Sequence, residues 1–342
     1  MSAEIGSREY AVGSIRRAIR EVISRRRGRI ASALVALFVL VGLVADLLAS
    51  DLPVACNVGG ATYVLPCVTR PAALAGWNNA RVALEARGSG WVVRPLVAFG
   101  PGEETPAIAA PPFSTPGHPL GTDRHGRDVF ARLVHGARTA LGVSALAVAA
   151  FVAIGAVLGA AAGFFGRRVD AIVARLIDVL SSFPALVLLV VVQALQDRPS
   201  FVSLLVAIGL TRWTEVARLT RAEVLVVSAR DYTLAARALG ATPARVLWRH
   251  ILPNAKGPLI VSAALGLRQV VVIESSLSFL RVGLPPPSAS WGEMLGEMRD
   301  GPGAWWLVVL PGVLVVVLSF ALNVIGETLR DGFDPRARTT AT

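Results

Sequence analysis

The stretch "IASALVALFVLVGLVADLL", residues 30–48, is an almost unbroken run of apolar side chains, and five comparable runs follow it, at 140–165, 172–195, 201–216, 258–280 and 305–325. About 20 apolar residues is the length a helix needs to cross a bilayer core. In lipid every backbone polar group must be satisfied internally, so such runs fold as helices. The expectation is an all-α integral membrane protein with six transmembrane helices. The fourth run is the shortest, because Arg212 and Glu215 interrupt it, and its helix is expected to continue past the membrane surface. Composition agrees. Of the 342 residues 54% are hydrophobic and 17% charged, against about a quarter charged in soluble domains. The formal net charge of +11 would suit nucleic acid, but the basic residues sit beside apolar blocks rather than on one face. The partner they imply is the lipid bilayer, not nucleic acid.

Six spans place both termini on one side. Arg16, Arg17, Arg20, Arg25, Arg26, Arg27 and Arg29 precede the first run, Arg167 and Arg168 follow the second, and Arg330, Arg336 and Arg338 follow the last. By the positive-inside rule that side is cytoplasmic. Residues 49–138, Pro- and Gly-rich, then face outward with 283–304, since long loops largely escape the rule. A cleaved signal peptide is the rival reading for 30–48, but the long basic preface and long apolar run favour an uncleaved anchor. The chain divides into a basic tail (1–29), an anchor (30–48), an outward insertion (49–138), a five-helix core (139–327) and a second tail (328–342). Cys56 and Cys67 both fall in the insertion. An oxidising compartment allows a disulfide, and two unlinked thiols fit equally.

Within the second run Gly155, Gly159 and Gly163 recur every four residues on one helix face. Small residues at that spacing let helix backbones approach closely, either within the chain or at a subunit seam. Charges inside spans are costly and face protein or water. Asp178, Arg268 and Glu274 are therefore candidate pore or bundle charges. Arg268 and Glu274 are six residues apart, about 240° around a helix, so each needs another partner.

The segment "YTLAARALGATPARVLWRHILPNA", Tyr232 to Ala255, does not belong in lipid. Tyr232 to Leu239 reads as a helix that Gly240 terminates. Thr242 is an N-cap and Pro243 a first helical residue, so a second helix restarts and stops at Pro253. Two short helices meeting at a glycine thus project on the arginine-rich side, with Leu234, Ala235, Ala238 and Leu239 at helical spacing.

This segment resembles the EAA loop of permeases of the binding-protein-dependent ABC importer family, through Ala235, Ala236, Gly240 and the run Ile251-Leu252-Pro253. Where that family carries glutamate, this chain has Leu234. "HPLGTDRHGRDVFARLVHGARTAL", "RLIDVLSSFPALVLL", "ESSLSFLRVGLPPPSASWGEML" and "NVIGETLRDGFDPRAR" are similar to the dipeptide and oligopeptide C-type subfamily, with Arg281-Val282 in place of a usual Gly-Leu. The resemblance implies a type I ABC importer core and a subunit forming half of a peptide pore. Its partners would be a sister permease (in a heterodimer), two ATPase subunits and an extracytoplasmic solute-binding protein, in a bacterial inner membrane. The coupling loop, 228–254, would dock on the ATPase through Tyr232, Leu234, Ala235, Ala236, Arg237, Leu239, Gly240, Ala241, Arg245, Leu252 and Pro253. Import of nickel or another small solute on the same fold is the alternative cargo.

The residues themselves exclude an ATPase site in this chain. Lys256 is its one lysine, and it lies between Ala255 and Gly257, so no G-K-[ST] phosphate loop exists. No cofactor is expected, and ATP with Mg falls to the partner ATPases. No HExxH or paired-Cys motif is present, so no catalytic zinc is expected. His118, His125 and His135 read as scattered surface histidines. Gly88–Gly90 is a turn. Gly121-Thr122-Asp123 and Gly126-Arg127-Asp128 read as capped entries to an amphipathic interfacial helix. An intramembrane enzyme would need Asp178 and Glu274 close enough to share a proton, and nothing in the sequence brings them together.

Overall fold

Proline, glycine and a few capping side chains set most of the helix boundaries. A computed structural model describes residues 16–333 except 89, 197–199, 286–287 and 301–302. Most of the first basic tail and the second tail with Arg336 and Arg338 lie outside the described residues, as does Ser89 of the predicted turn. A helix over 16–24 (α1) leads into α2 (Arg26–Leu43) and α3 (Ala45–Leu48). The chain breaks at Val44, so 30–48 is not one straight helix as expected. Asp46 there pairs with Arg138 at 2.7 Å.

The expected fold is all-α, and the insertion departs from it. It contains a three-stranded antiparallel sheet, order β2-β1-β3, of β1 (Ala55–Val58), β2 (Ala61–Val64) and β3 (Trp91–Val93), with Ala55 opposite both Val64 and Val93. Two short helices, α4 (Pro66–Thr69) and α5 (Asn79–Glu85), accompany it. Leu52, Leu74 and Val82 bury Cys56 and Cys67 in one small core. Both thiols are unbonded and buried in this structure. Burial pushes both thiols above their ordinary range.

Asp128 starts α6 (Val129–Phe165) by accepting the Ala131 N–H at 2.7 Å. The predicted interfacial helix is thus the front of α6 itself. Its 37 residues reach about 55 Å at 1.5 Å per residue, well beyond a bilayer core of about 30 Å. The surplus carries Arg132, His135 and Arg138 out of the hydrocarbon. The third run is not a straight span either. It forms α7 (Arg167–Ser181) and α8 (Ala185–Ala194), bent by 82°. Pro184 offers no N–H and disfavours helical backbone at Phe183. The polar residues of α7 then lie along a surface, and Asp178 is exposed there rather than inside a bundle.

A capping box between Ser200 and Ser203 opens α9 (Phe201–Ser228). Next come α10 (Asp231–Ala238), α11 (Pro243–Val246), α12 (Lys256–Phe279), α13 (Trp291–Gly296) and α14 (Trp306–Phe333). Among the described residues α6, α12 and α14 are long and apolar enough to cross a membrane, and the bent α7–α8 pair makes a fourth if it counts as one span.

The core gathers around α6. Its main partner is α9, and the three glycines make that approach. A Cβ on Gly155 would fall 2.7 Å from the Trp213 carbonyl, on Gly159 2.4 Å from the Ala217 carbonyl and on Gly163 2.9 Å from the Arg221 carbonyl. The stripe is used within the chain, so the subunit-seam alternative is not what this face does. Gly159→Val is expected to lower stability by roughly 1–3 kcal/mol through overpacking. Thermal unfolding of the purified chain in detergent should record it, with little effect from the same change at open Gly142. On the opposite flank Trp291 binds α13 to α6, its indole N–H donating to the Leu133 carbonyl at 2.9 Å.

Candidate functional site

Two short helices project beyond α9, as the glycine and capping signals require. Gly240 has φ +82°, a left-handed conformation that other residues adopt only under strain. Its N–H donates to the Arg237 carbonyl at 3.0 Å. Thr242 then caps α11 by accepting the Arg245 N–H at 3.4 Å, with Pro243 in the first turn. A π-helical turn, Leu247–Ile251, continues α11.

Val246 and Ile251 anchor this unit, buried with Ala160, Val224 and Val227 at the ends of α6 and α9. Thr233, fully buried, donates to the Val227 carbonyl at 2.8 Å. Sequence reasoning missed these three anchors. The i, i+5 spacing of Val246 and Ile251 fits the π turn rather than an α-helix, so periodicity did not reveal them. Outward, Leu239 is 89% exposed and Trp248 71%, with Leu234, Ala235 and Arg245 also exposed. Arg237 lies over the Phe164 ring at 5.8 Å. Tyr232, Ala236, Ala241, Leu252 and Pro253 are half-buried at the base. The tip is thus an apolar and basic knob on a fixed pedestal. Trp248 was the exposed member that the sequence reading overlooked.

A groove of about 590 Å³ opens between α9, α12 and α14, lined by Glu215, Glu223, Ser262, Gln269 and Arg330 among apolar neighbours. Arg212 donates to Glu215 at 2.9 Å and also to Gln269. These groups, of which Arg212 and Glu215 interrupt the fourth apolar run, form one polar wall in an apolar protein. Of the three candidate charges, Glu274 is fully buried. It accepts from Ser278 at 2.9 Å and Ser290 at 2.7 Å, and so ties α12 to the cap of α13. Arg268 is half-buried, and its Nε has no hydrogen-bond partner among the described residues. Exposed Asp178 and buried Glu274 share no hydrogen bond among the described residues.

At the far end of the fold, Asp123, Arg127, Arg132, Glu293 and Glu297 form one buried ion network. Arg127 meets Asp123 at 2.7 Å and Glu297 at 2.9 Å. Arg132 meets Glu293 at 2.9 Å and also Asp123 and Glu297. The insertion is thereby clamped to the loop between α12 and α14. Of the three histidines expected at the surface only His125 is exposed; the other two are packed into the fold. His118 is buried, stacked on Phe99, with its Nδ1 2.7 Å from Asp128, and His135 Nε2 meets the Ala49 carbonyl at 2.9 Å. Burial pushes the Asp128 carboxyl above its ordinary range, although the Ala131 N–H and His118 pull it down. Asp123, His125 and Glu297 bring ligand atoms within 4.8 Å of one another. The two carboxylates already face two guanidiniums, whose charge opposes a cation there.

Helices long and apolar enough to cross a membrane, a polar groove among them and an anchored, exposed knob define the class: an integral membrane protein with a short helical appendage. Residues 155–339 match the family model described as binding-protein-dependent transport system inner membrane component, and the chain belongs to that family. It is a permease component of an ABC importer, a multi-pass protein of the inner membrane. It is 38% identical over 223 residues to the di/tripeptide transport system permease protein DppC of Pseudomonas aeruginosa (strain UCBPP-PA14), covering 65% of this chain and 73% of that protein. It is 37% identical over 223 residues to the dipeptide transport system permease protein DppC of Bacillus subtilis (strain 168), covering 65% and 69%. Among solved structures, a methionine ABC transporter, MetNI, in inward-facing conformations aligns at TM-score 0.49 and 20% identity, covering 59% of this chain and 97% of that one.

Proposed function

We propose that this chain forms half of a pore for dipeptides or oligopeptides and transmits force to it from a separate ATPase through residues 231–251. The pore is completed by a sister permease, each half engages one of two ATPases, and an extracytoplasmic binding protein delivers the cargo. ATP and Mg are bound by the ATPases, and this chain carries no catalytic residue. The termini and the knob face the cytoplasm, six helices cross the membrane, and the first of them, α2, is an anchor outside the five-helix core. The single observation that carries this reading is the knob itself, with Val246 and Ile251 buried against α6 and α9 and Leu239 and Trp248 left bare. An exposed apolar tip on a rigid pedestal suits a helix-in-groove contact and moves as a lever with the bundle. Family membership and the names of the relatives support the peptide cargo.

Leu239→Cys tests the docking. A bifunctional thiol cross-linker applied to membranes of the native host should join this variant to a nucleotide-binding subunit. A cysteine at exposed Leu96 of the insertion should not be joined. Labelling of Leu239→Cys by a membrane-impermeant reagent from outside the cell would reverse the orientation and end the proposal.

A further inference from the structure

The arginine-rich end of the chain is a built surface as well as a topology signal. In α1, Ala18 and Val22 are buried, whereas Ile19 and Ile23 are exposed among arginines. The buried side packs on the end of α14, where a Cβ on Gly332 would lie 2.7 Å from the Ala18 Cα. An amphipathic helix with bare isoleucines and arginines, held at the end of membrane helices, suits the headgroup–acyl boundary.

Directly beneath it, a cavity of about 820 Å³ opens between α2 and α14. Its polar rim holds Arg25, Arg26, Arg27, Asn323, Glu327 and Asp331. Arg25 is engaged, meeting Glu21 at 2.9 Å and Asp331 at 2.6 Å, and Glu327 accepts from Asn323 at 2.9 Å. Among the described residues no carboxylate pairs with Arg26 or Arg27, and both are exposed. Below the rim the lining turns apolar through Ile30, Leu34 and Phe320. Exposed Val316 and Val313 then continue the α14 face one helical turn at a time toward the bilayer.

We infer that this cavity is a phospholipid site, with a lipid phosphate against Arg26 and Arg27, a glycerol headgroup on Glu327 and Asn323, and an acyl chain along Phe320 and Val316. The occupant it fits is phosphatidylglycerol. The rim supplies cations for the phosphate and an acceptor for headgroup hydroxyls, and the lane below is apolar. Basic pockets between transmembrane helices hold anionic headgroups by this chemistry, and arginine offers a fork matched to phosphate oxygens. The inference needs the chain to sit in a bilayer, but not the proposed cargo or ATPase contact.

The test uses the full chain with whatever subunits copurify, in nanodiscs and then in native mass spectrometry. Wild-type protein should retain phosphatidylglycerol after detergent exchange, in preference to phosphatidylcholine and phosphatidylethanolamine. Arg26→Gln with Arg27→Gln should lower that retention about tenfold or more. Arg167→Gln with Arg168→Gln, the same charge change at the α6–α7 turn, should leave it unchanged. Equal losses from both pairs would mean diffuse charge attraction and overturn the site, as would equal retention of the three lipids. Stabilisation by inorganic phosphate alone, equal to that by the lipid, would replace the lipid by a free anion. Should the arginine variant misfold, Phe320→Trp supplies an independent reading. Its added fluorescence should be quenched more by brominated phosphatidylglycerol than by brominated phosphatidylcholine, and equal quenching would refute the site.

Discussion

Replacing Gly240 with proline is expected to abolish transport while leaving the chain in the membrane at normal abundance. Gly240 has φ +82° and is exposed, with open space where a Cβ would sit. Proline fixes φ near −65°, and misplacing it costs about 3 kcal/mol or more. It also removes the N–H that closes α10 on the Arg237 carbonyl. At about 1.4 kcal/mol per tenfold, the geometry that holds Leu239 and Trp248 together would fall in population roughly a hundredfold. Gly240→Ala is the graded control, since left-handed backbone costs an alanine about 1–2 kcal/mol. Uptake of a labelled dipeptide, normalised to membrane level by immunoblot, should fall partially for alanine and almost completely for proline. Normal uptake by the proline variant at wild-type abundance would remove the lever role.

The second large effect is expected at Arg132. It is about 1% exposed and shares three carboxylates with Arg127, namely Asp123, Glu293 and Glu297. Arg132→Met keeps the volume and removes the charge, leaving carboxylates buried against a single guanidinium. Breaking a buried network on one side costs about 3–5 kcal/mol, because the stranded charges keep their desolvation penalty. The purified variant should unfold at a clearly lower temperature. Adding Glu297→Gln should restore part of the loss, since one stranded carboxylate is then neutral. A double variant no more stable than the single would show that the cost lies in packing rather than charge.

These two sites were unequally legible. Gly240, Thr242 and Pro243 are local signals: each acts on its own helix end, so the double helix could be read residue by residue. The clamp joins Arg127 to Glu297 across 170 positions, and no periodicity connects them. His118, read as a surface residue, is buried for the same reason, because Phe99 and Asp128 reach it through the fold of the insertion. The bend between α7 and α8 was nearer the surface of the sequence. Phe183-Pro184 is a helix-breaking pair, but the apolar count on either side outweighed it. The glycine stripe announced close approach yet not its partner, since small residues permit contact without specifying with what.

The amino-acid order alone determined the solvent in which this chain folds, the number and place of its apolar runs, and the capped double helix between two of them. Each of those follows from hydropathy over about 20 residues or from chemistry within one helix turn. Tertiary structure alone decided that Gly155, Gly159 and Gly163 face α9, that Val246 and Ile251 fix the knob, and that five charged residues share one buried network. The physical reason is range. Backbone satisfaction and capping act between neighbours, whereas packing and ion pairing take their energy from residues that become neighbours only after the helices have assembled.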